Sequence, residues 1–201
     1  VFCGLDLAST WDTTAFVAVS KHEDGYLDVF AHFFVPRENA FEREQRDKVP
    51  YSAWTSQGYM TATAGNICDY GVVQAYIEEF CKKNNVISIA CDRWNSASLM
   101  TSLYQQGIPV TGYGQTFSAL SSPSKRLETL VASHKLRTGG NPVLQWQSDN
   151  VVTIEDGNQN IRPSKKASSE KIDGIAALVM AIGVLDTAEA QQDQDYEIFF
   201  I

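Results

Sequence analysis

The sequence predicts a mixed α/β fold built on one sheet of three antiparallel and two parallel strands, flanked by helices. Three apolar, strand-like runs open the chain, and Asp24-Gly25, a dipeptide typical of tight hairpins, joins the second and third. Helical and strand-like segments then alternate, which indicates parallel strands connected by helices. With 201 residues the chain can bury a full core, and we expect a single domain over 1–201.

The first half of the chain alternates apolar runs with capped helices. Strands are expected at 1–8, 13–20, 26–34 and 86–91. Asp69 is a typical N-cap for a helix over 69–84. Asn95 or Ser96 can begin a second helix, which runs through Gln106 and stops at Gly107. The segment 36–68 contains two prolines and a charged run, and we expect it to be irregular.

The second half adds one strand, a hairpin and two helices. A fifth strand is expected at 108–113. A helix is expected over 117–137, with Leu127, Leu130 and Val131 facing inward. The dipeptide Asp156-Gly157 predicts a hairpin between 151–154 and 160–162. The last helix is expected to begin near Ser168 or Ser169 and to run to about Ala190, with one apolar stripe: Ile172, Ile175, Ala176, Val179 and Ile182.

Three aspartates lie at the boundaries of apolar segments: Asp6, Asp92 and Asp173. A right-handed crossover would place the strand that ends at Asp92 beside the strand that ends at Asp6. Asp173, expected one turn into the last helix, would then lean over the sheet edge. A buried carboxylate is costly unless it is paired or bound to a metal, and oxygen ligands suit Mg²⁺ or Mn²⁺. The pattern therefore predicts a divalent-metal site.

Such a site would suit phosphodiester hydrolysis by two divalent ions. We expect Asp6 to bridge the ions, and Asp92 and Asp173 to bind one each. Asp12, near the turn after the first strand, is a candidate fourth ligand, although aspartates are common in solvated turns. The structural alternative is that Asp92 caps the following helix and Asp173 complements the helix dipole.

Five sequence blocks, in order, resemble one family. They are GLDLASTWDTTAFVAV, PYSAWTSQGYMTATAGNICDY, CDRW, GNPVLQW with SDNVV, and KIDGIAALVMA. The chain resembles the C-terminal nuclease domain of the large terminase subunit of tailed bacteriophages, from Gly4 to about Ile182. The resemblance implies a ribonuclease H-like fold and the cleavage of concatemeric double-stranded viral DNA during packaging. It also implies that Asp6, Asp92 and Asp173 are the catalytic, metal-binding residues.

The resemblance also implies partners beyond this domain. The full-length protein would carry an N-terminal ATPase, but no GxxxxGK[ST] phosphate loop is present here. Because the chain begins at Val1 and not at methionine, we expect it to be excised from a longer polypeptide. Double-stranded DNA, the ATPase domain, the portal and the small terminase subunit are the expected partners. We expect the isolated domain to be a monomer and the protein to work in the cytoplasm of the infected host.

The net charge of −8 argues against a general nucleic-acid binder, because phosphate contacts need lysine and arginine. Basic residues nevertheless cluster in the later segments. The candidates for DNA contact are Lys125, Arg126, Lys165, Lys166 and Lys171. A solvated basic surface is the alternative for each of them. The longest apolar stretch, 172–185, is too short to span a membrane, so no membrane partner is expected.

The remaining signals favour structural roles. The four cysteines, Cys3, Cys68, Cys81 and Cys91, match no zinc spacing and are expected to be buried thiols. His134 is expected to be structural, and Trp94 and Trp146 are expected to be core or loop anchors.

Three other functions fit parts of the pattern. An actin-like or sugar-kinase-like ATPase shares the opening strand and its aspartate, but it needs a duplicated domain and a second glycine-rich phosphate turn. A resolvase or transposase shares the ribonuclease H-like fold. A non-catalytic module that binds DNA or the portal would keep the fold without the activity, although it would be free to lose the three carboxylates.

Overall fold

A computed structural model describes residues 1–7, 12–38, 40–92 and 96–196. Nine strands and seven helices alternate along this part of the chain. In chain order they are β1 Phe2–Asp6, β2 Thr14–Lys21, β3 Leu27–Pro36, α1 Ala40–Asp47, α2 Tyr51–Ser56, β4 Met60–Thr63, α3 Tyr70–Lys83, β5 Ser88–Asp92, α4 Ala97–Gln105, β6 Val110–Tyr113, α5 Phe117–Ala132, β7 Leu136–Arg137, α6 Pro142–Asn150, β8 Thr153–Glu155, β9 Ile161–Pro163 and α7 Asp173–Tyr196.

The central sheet has the strand order β4-β3-β2-β1-β5-β6, and β7 also pairs with β3. Strands β1, β2 and β3 are antiparallel, whereas β5 pairs parallel to β1 and β6 parallel to β5. The predicted mixed sheet is therefore confirmed. The short strands β4 and β7, both parallel to β3, were not predicted.

Apolar side chains fill both faces of the sheet. On one face, the inward side chains of β2 and β3 pack against α2, α6 and α7. On the other face, β1 and β5 pack against α3 and α4. All four cysteines are free thiols; Cys3, Cys68 and Cys91 are buried as predicted, whereas Cys81 is only half-buried and packs at the edge of the core. Among the described residues, no helix is long and apolar enough to cross a lipid bilayer.

The sequence signals for turns and caps are confirmed in several places. The side chain of Asp69 accepts a hydrogen bond from the Gly71 amide and caps α3. Gly25, in the β2–β3 hairpin, has the positive φ of 81° that such a turn requires. The second predicted hairpin forms as an antiparallel pair, β8 and β9, outside the central sheet. Asn95 and Trp94 lie outside the described residues.

The prediction that 36–68 is irregular is wrong, because the segment folds into α1, α2 and β4. Aromatic packing explains the difference. Tyr51 and Trp54 are buried and pack edge-to-face with each other and against Trp146 of α6. The Tyr51 hydroxyl donates to the Asp47 carboxylate, 2.8 Å away, and joins α2 to α1. These contacts order a segment that has little local periodicity, and they confirm Trp146 as a core anchor.

The predicted helix over 117–137 ends earlier, at Ala132. His134 has a left-handed backbone (φ 55°), and the Lys135 amide donates to the Leu130 carbonyl, so the chain turns there and continues into β7. Val131 is 55% exposed, so the prediction that it faces inward is wrong. Helix α6 was not predicted; its N-cap, Asn141, accepts hydrogen bonds from the next helical amides.

The last helix begins at Asp173, and not near Ser168 or Ser169 as predicted. The preceding residues form a separate turn, in which the Ser168 amide and hydroxyl both donate to the Ser164 carbonyl. Asp173 is therefore the first residue of α7 and not one turn into it. Helix α7 is also buried on more than the predicted stripe, because Ala177, Leu178, Met180 and Ala181 are buried as well.

Gly4 allows α7 to cross β1 in direct backbone contact. A Cβ atom at Gly4 would lie 1.9 Å from the carbonyl oxygen of Ala177, a distance that no real Cβ tolerates. We expect Gly4→Ala to lower the free energy of unfolding by about 1–3 kcal/mol or more, because α7 would have to move away from the sheet. Urea-induced unfolding measures this loss.

The matched control is Gly157→Ala. Gly157 lies in the β8–β9 turn, and a Cβ there would meet nothing within 4 Å. We expect this variant to stay within about 0.5 kcal/mol of the wild type. Equal stability of the Gly4 and Gly157 variants would show that α7 does not rest on β1 as described.

Candidate active site

Two of the three predicted carboxylates lie at the ends of neighbouring parallel strands. Leu5 of β1 pairs with Cys91 of β5, so the next residues, Asp6 and Asp92, leave the sheet side by side at the same edge. This placement confirms the predicted crossover. Asp6 is only 8% exposed, whereas Asp92 is half-buried.

Asp173 reaches the same edge from the first turn of α7, where it is 1% exposed. Its Oδ2 atom accepts hydrogen bonds from the Thr13 amide (3.1 Å) and the Thr13 hydroxyl (2.6 Å). Gln147 of α6, which is fully buried, donates to the same hydroxyl and accepts from the Gly174 amide. This network fixes one oxygen of the carboxylate and leaves Oδ1 directed elsewhere.

Lys165 joins Asp6 to Asp173. Its Nζ atom lies 2.8 Å from Asp6 Oδ2 and 2.7 Å from Asp173 Oδ1. The two carboxylates are therefore within two hydrogen-bond lengths of each other. Asp6 Oδ2 is fully buried, and its partner is the Lys165 ammonium. This oxygen is therefore held by a cation and not by an amide or hydroxyl donor.

The electrostatics of Asp6 agree with this position. Burial is the main reason that the pKa of Asp6 is raised to about 7, and repulsion from Asp173 and Asp92 adds to it, whereas Lys165 opposes the rise. The lysine side chain is 46% exposed, so water screens its attraction. The buried Asp6 carboxyl therefore releases its proton less readily than an exposed aspartate does.

A groove of about 330 Å³ opens beside the carboxylates. Asp6 and Asp92 line it together with Arg162, Lys165 and Lys166. The Arg162 guanidinium stacks on the Phe117 ring, 4.8 Å from its centroid, and donates to the Gln115 carbonyl. Acidic and basic side chains therefore line the same groove, which suits a ligand that carries both metal ions and phosphates.

The sequence profile of the terminase large subunit endonuclease domain matches residues 1–189. The chain belongs to the terminase large subunit endonuclease family. It is 31% identical over 200 residues to the terminase large subunit of Enterobacteria phage HK97, a match that covers 98% of this chain and 40% of that protein. It is also 30% identical over 192 residues to protein YmfN of Escherichia coli K12, covering 89% of this chain and 41% of that protein.

Solved terminase structures share the fold. The crystal structure of the HK97 bacteriophage large terminase matches with a TM-score of 0.86 at 32% identity, over 91% of this chain and 39% of that chain. The large terminase nuclease from thermophilic phage G20c matches with a TM-score of 0.58 at 13% identity, over 90% and 79% of the two chains. The ribonuclease H-like fold is therefore confirmed. The chain spans about two fifths of the length of the curated relatives it matches.

The carboxylates of this terminase nuclease domain suit a divalent metal by their chemistry. They are hard oxygen ligands, and the buried Asp6 Oδ2 is contacted by a cation and by no amide or hydroxyl donor. As the side chains stand, however, no three His, Cys, Asp or Glu residues in the described parts of the chain are gathered closely enough to hold an ion. The ammonium of Lys165 occupies the space between Asp6 and Asp173 instead.

Asp12, the candidate fourth ligand, forms an ion pair with Lys171 at 2.6 Å. Although burial acts to raise it, the pKa of Asp12 is lowered overall, chiefly by its hydrogen bond to Lys171. Asp12 and Asp173 line a second, smaller cavity, and Lys165 lines both this cavity and the groove beside Asp6. Asp12 therefore lies close to the predicted site, but its carboxylate is already paired with the Lys171 ammonium.

The predicted DNA-binding residues occupy different positions. Lys165 and Lys166 line the groove, and Lys171 is paired with Asp12. Lys125 donates to the Gln159 carbonyl of the β8–β9 hairpin, and Arg126 forms ion pairs with Asp186 and Glu189 of α7. The last two side chains therefore join structural elements in this conformation. His134 is exposed and lines a separate apolar cavity, away from the carboxylates.

Sequence reasoning missed the residues that hold the carboxylates. Thr13 and Gln147 are ordinary polar residues far from Asp173 in the sequence, and no local pattern marks them. Gly174, next to Asp173, is a partial signal, because a Cβ there would lie within 3 Å of Phe33 and Gln147. Lys165 was expected to contact DNA, and its pairing with Asp6 and Asp173 was not predicted.

The raised pKa of Asp6 makes stability depend on pH. Between its ordinary value of 3.8 and about 7, the folded domain keeps a proton that the unfolded chain has released. The free energy of unfolding therefore falls as pH rises through that window, because the folded state binds more protons than the unfolded state does. We expect Asp6→Asn to remove a slope of up to about 1.4 kcal/mol per pH unit in metal-free buffer.

Urea unfolding in EDTA at several pH values between 4 and 8 measures this effect. The stability of Asp6→Asn relative to the wild type should increase steadily across the window. Parallel curves for the two proteins would show that Asp6 is fully ionised in the folded domain.

Proposed function

We propose that this domain is a metal-dependent endonuclease that cleaves double-stranded, concatemeric viral DNA during genome packaging. The observation that carries the proposal is the placement of Asp6 beside Asp92 at neighbouring strand ends, with Asp173 joined to Asp6 through Lys165, next to a groove that basic side chains also line, in a chain of the terminase endonuclease family. The proposed catalytic residues are Asp6, Asp92 and Asp173, as expected from the sequence.

Asp6, Asp92 and Asp173 would hold two Mg²⁺ or Mn²⁺ ions, with Asp6 shared between them. When bound, such ions activate water and stabilise the charge that develops on the phosphate and the leaving oxygen. Asp173 suits its part because Thr13 and Gln147 fix one of its oxygens and leave the other free to face Asp6. Asp6 suits a shared ligand because it lies beside both Asp92 and Asp173.

The basic side chains of the groove would bind the DNA backbone. Arg162 and Lys166 line the same groove as Asp6 and Asp92, so they would contact a backbone phosphate whose bond lies near the metal ligands. Such contacts carry no sequence information, so little sequence preference is expected. Both residues lie at or after β9, so the β8–β9 hairpin would set one border of the DNA path.

The remaining parts of the proposal concern the whole protein. This chain matches only about two fifths of each relative, and the rest of the relative is long enough for the expected ATPase domain. The full-length protein would act with the portal and the small terminase subunit in the cytoplasm of the infected bacterium. The isolated domain, taken as one unit over 1–201, would be a monomer.

Replacing a proposed metal ligand should abolish cleavage. We expect Asp6→Asn and Asp173→Asn to lose at least about a hundredfold of activity on plasmid DNA, because each removes charge that the ions need. Both should stay folded, since asparagine keeps the size of the side chain. Linearisation of plasmid in Mg²⁺, Mn²⁺ or EDTA, together with circular dichroism, measures this.

Asp149→Asn, on the exposed face of α6, is the control and should cut like the wild type. Normal cleavage by Asp6→Asn or Asp173→Asn would remove that residue from the catalytic set. A wild-type domain that binds DNA but cuts it under no metal condition would favour the non-catalytic alternative.

Binding of the isolated domain to DNA should be weak and sensitive to salt. The net charge of −8 opposes approach to a polyanion, and only a few cations line the groove. We expect the dissociation constant of a duplex to rise by about tenfold or more between 50 and 200 mM salt. Fluorescence anisotropy of a labelled duplex, with Ca²⁺ present to limit cutting, measures it; tight, salt-insensitive binding would contradict the proposed backbone contacts.

A further inference from the structure

The backbone of Lys165 lies in a hydrogen-bonded turn, and its side chain is long and partly exposed. It lies between β9 and α7, in the turn that Ser164 and Ser168 close. The Ser164 amide also donates to the Val152 carbonyl, 3.0 Å away, and connects this turn to the residue just before β8. The side chain itself is 46% exposed and crosses from the groove to the carboxylates. Only its ammonium end is held, by Asp6 and Asp173.

The ammonium competes for the oxygens that a metal ion would use. Nζ lies 2.8 Å from Asp6 Oδ2 and 2.7 Å from Asp173 Oδ1. A divalent ion binds carboxylate oxygens at about 2.0–2.2 Å, so an ion shared by these two atoms would fall on the space that Nζ holds. The two cations would also repel each other strongly at such a distance. Lys165 and a shared ion therefore exclude each other.

We propose that Lys165 is a tethered competitor of the metal ion, which holds Asp6 and Asp173 together in the ion-free domain and moves into the groove when an ion binds. This inference rests on the proposed function, because it concerns the same carboxylates. Without a cation, two buried carboxylates this close would repel each other. Lys165 supplies that cation when no metal is present.

The groove gives the displaced ammonium a place to go. Lys165 already lines it together with Arg162 and Lys166, so an ammonium released from the carboxylates can stay within the same groove. A backbone phosphate in the groove would accept a hydrogen bond from the released side chain. DNA and the metal ion would then each favour the binding of the other, because both stabilise the position of Lys165 away from the carboxylates.

Mn²⁺ affinity tests the competition without any need for cleavage. The free Mn²⁺ signal in electron paramagnetic resonance gives the dissociation constant for the wild type, Lys165→Met and Lys166→Met. We expect Lys165→Met to bind Mn²⁺ about tenfold tighter than the wild type, the factor of losing a partly exposed, charge-assisted pair. Lys166→Met is the matched control, because it removes a neighbouring charge that forms no ion pair in the described part of the chain, and it should stay within about twofold.

Thermal melting adds a second measurement. In EDTA, Lys165→Met should melt below the wild type, because the two carboxylates lose their cation. Saturating Mn²⁺ should raise its melting temperature by more than that of the wild type. If the methionine variant does not fold in EDTA, Lys165→Gln repeats both measurements, since its amide can still donate to one carboxylate.

The outcomes separate this inference from the proposed function. Mn²⁺ binding that Asp6→Asn abolishes, but that is equally tight in the wild type, Lys165→Met and Lys166→Met, would overturn the competition and leave the metal site in place. Equal tightening in both lysine variants would also overturn it, since a general loss of charge would then explain the change. Absence of Mn²⁺ binding in the wild type and in Lys165→Met alike would overturn the metal site and the competition together.

Discussion

The close packing of α7 on β1 determines where the site can form. Gly4 brings the backbone of the helix against the strand, and this contact sets the height at which α7 begins above the sheet edge. Asp173, as the first residue of the helix, is carried to that edge, while Asp6 ends the strand beneath it. Gly174 allows the start of the helix to pack this closely, because a Cβ there would lie 2.8 Å from the Phe33 ring. The separation of the two carboxylates is thus a consequence of core packing.

Burying carboxylates this close together costs stability, and the domain offsets the cost in two different ways. The Asp173 carboxylate is stabilised by fixed donors, since Thr13 donates two hydrogen bonds to one oxygen and the helix N-terminus adds favourable dipoles. Asp6 has no such donors for its buried oxygen and depends on a cation. The positioning of Asp173 is therefore built into the fold, whereas the ionisation of Asp6 depends on what occupies the site.

Features that local or general rules determine could be predicted from the sequence, whereas features that depend on contacts between distant residues could not. The ends of β1 and β5 could be predicted, because short apolar runs and crossover handedness are local or general rules. The first residue of α7 could not, because the Ser164–Ser168 turn competes with the helix for the preceding residues. Helices α2 and α6 share an aromatic cluster that only the tertiary fold brings together, and α1 is joined to it by the hydrogen bond between Tyr51 and Asp47. The ion pairs of Lys165 are likewise contacts between distant segments.

The charge balance explains why a cation must be exchanged at this site. The chain carries a formal net charge of −8, and its buried carboxylates would add to the repulsion of a DNA phosphate unless cations neutralised them. A lysine can provide one positive charge, but its attraction is screened at the mouth of the groove. Divalent ions provide two charges in a smaller volume, so they neutralise the carboxylates more fully when a phosphate binds. A lysine that neutralises the carboxylates beforehand and then moves to the phosphate would keep the local charge balanced at both stages.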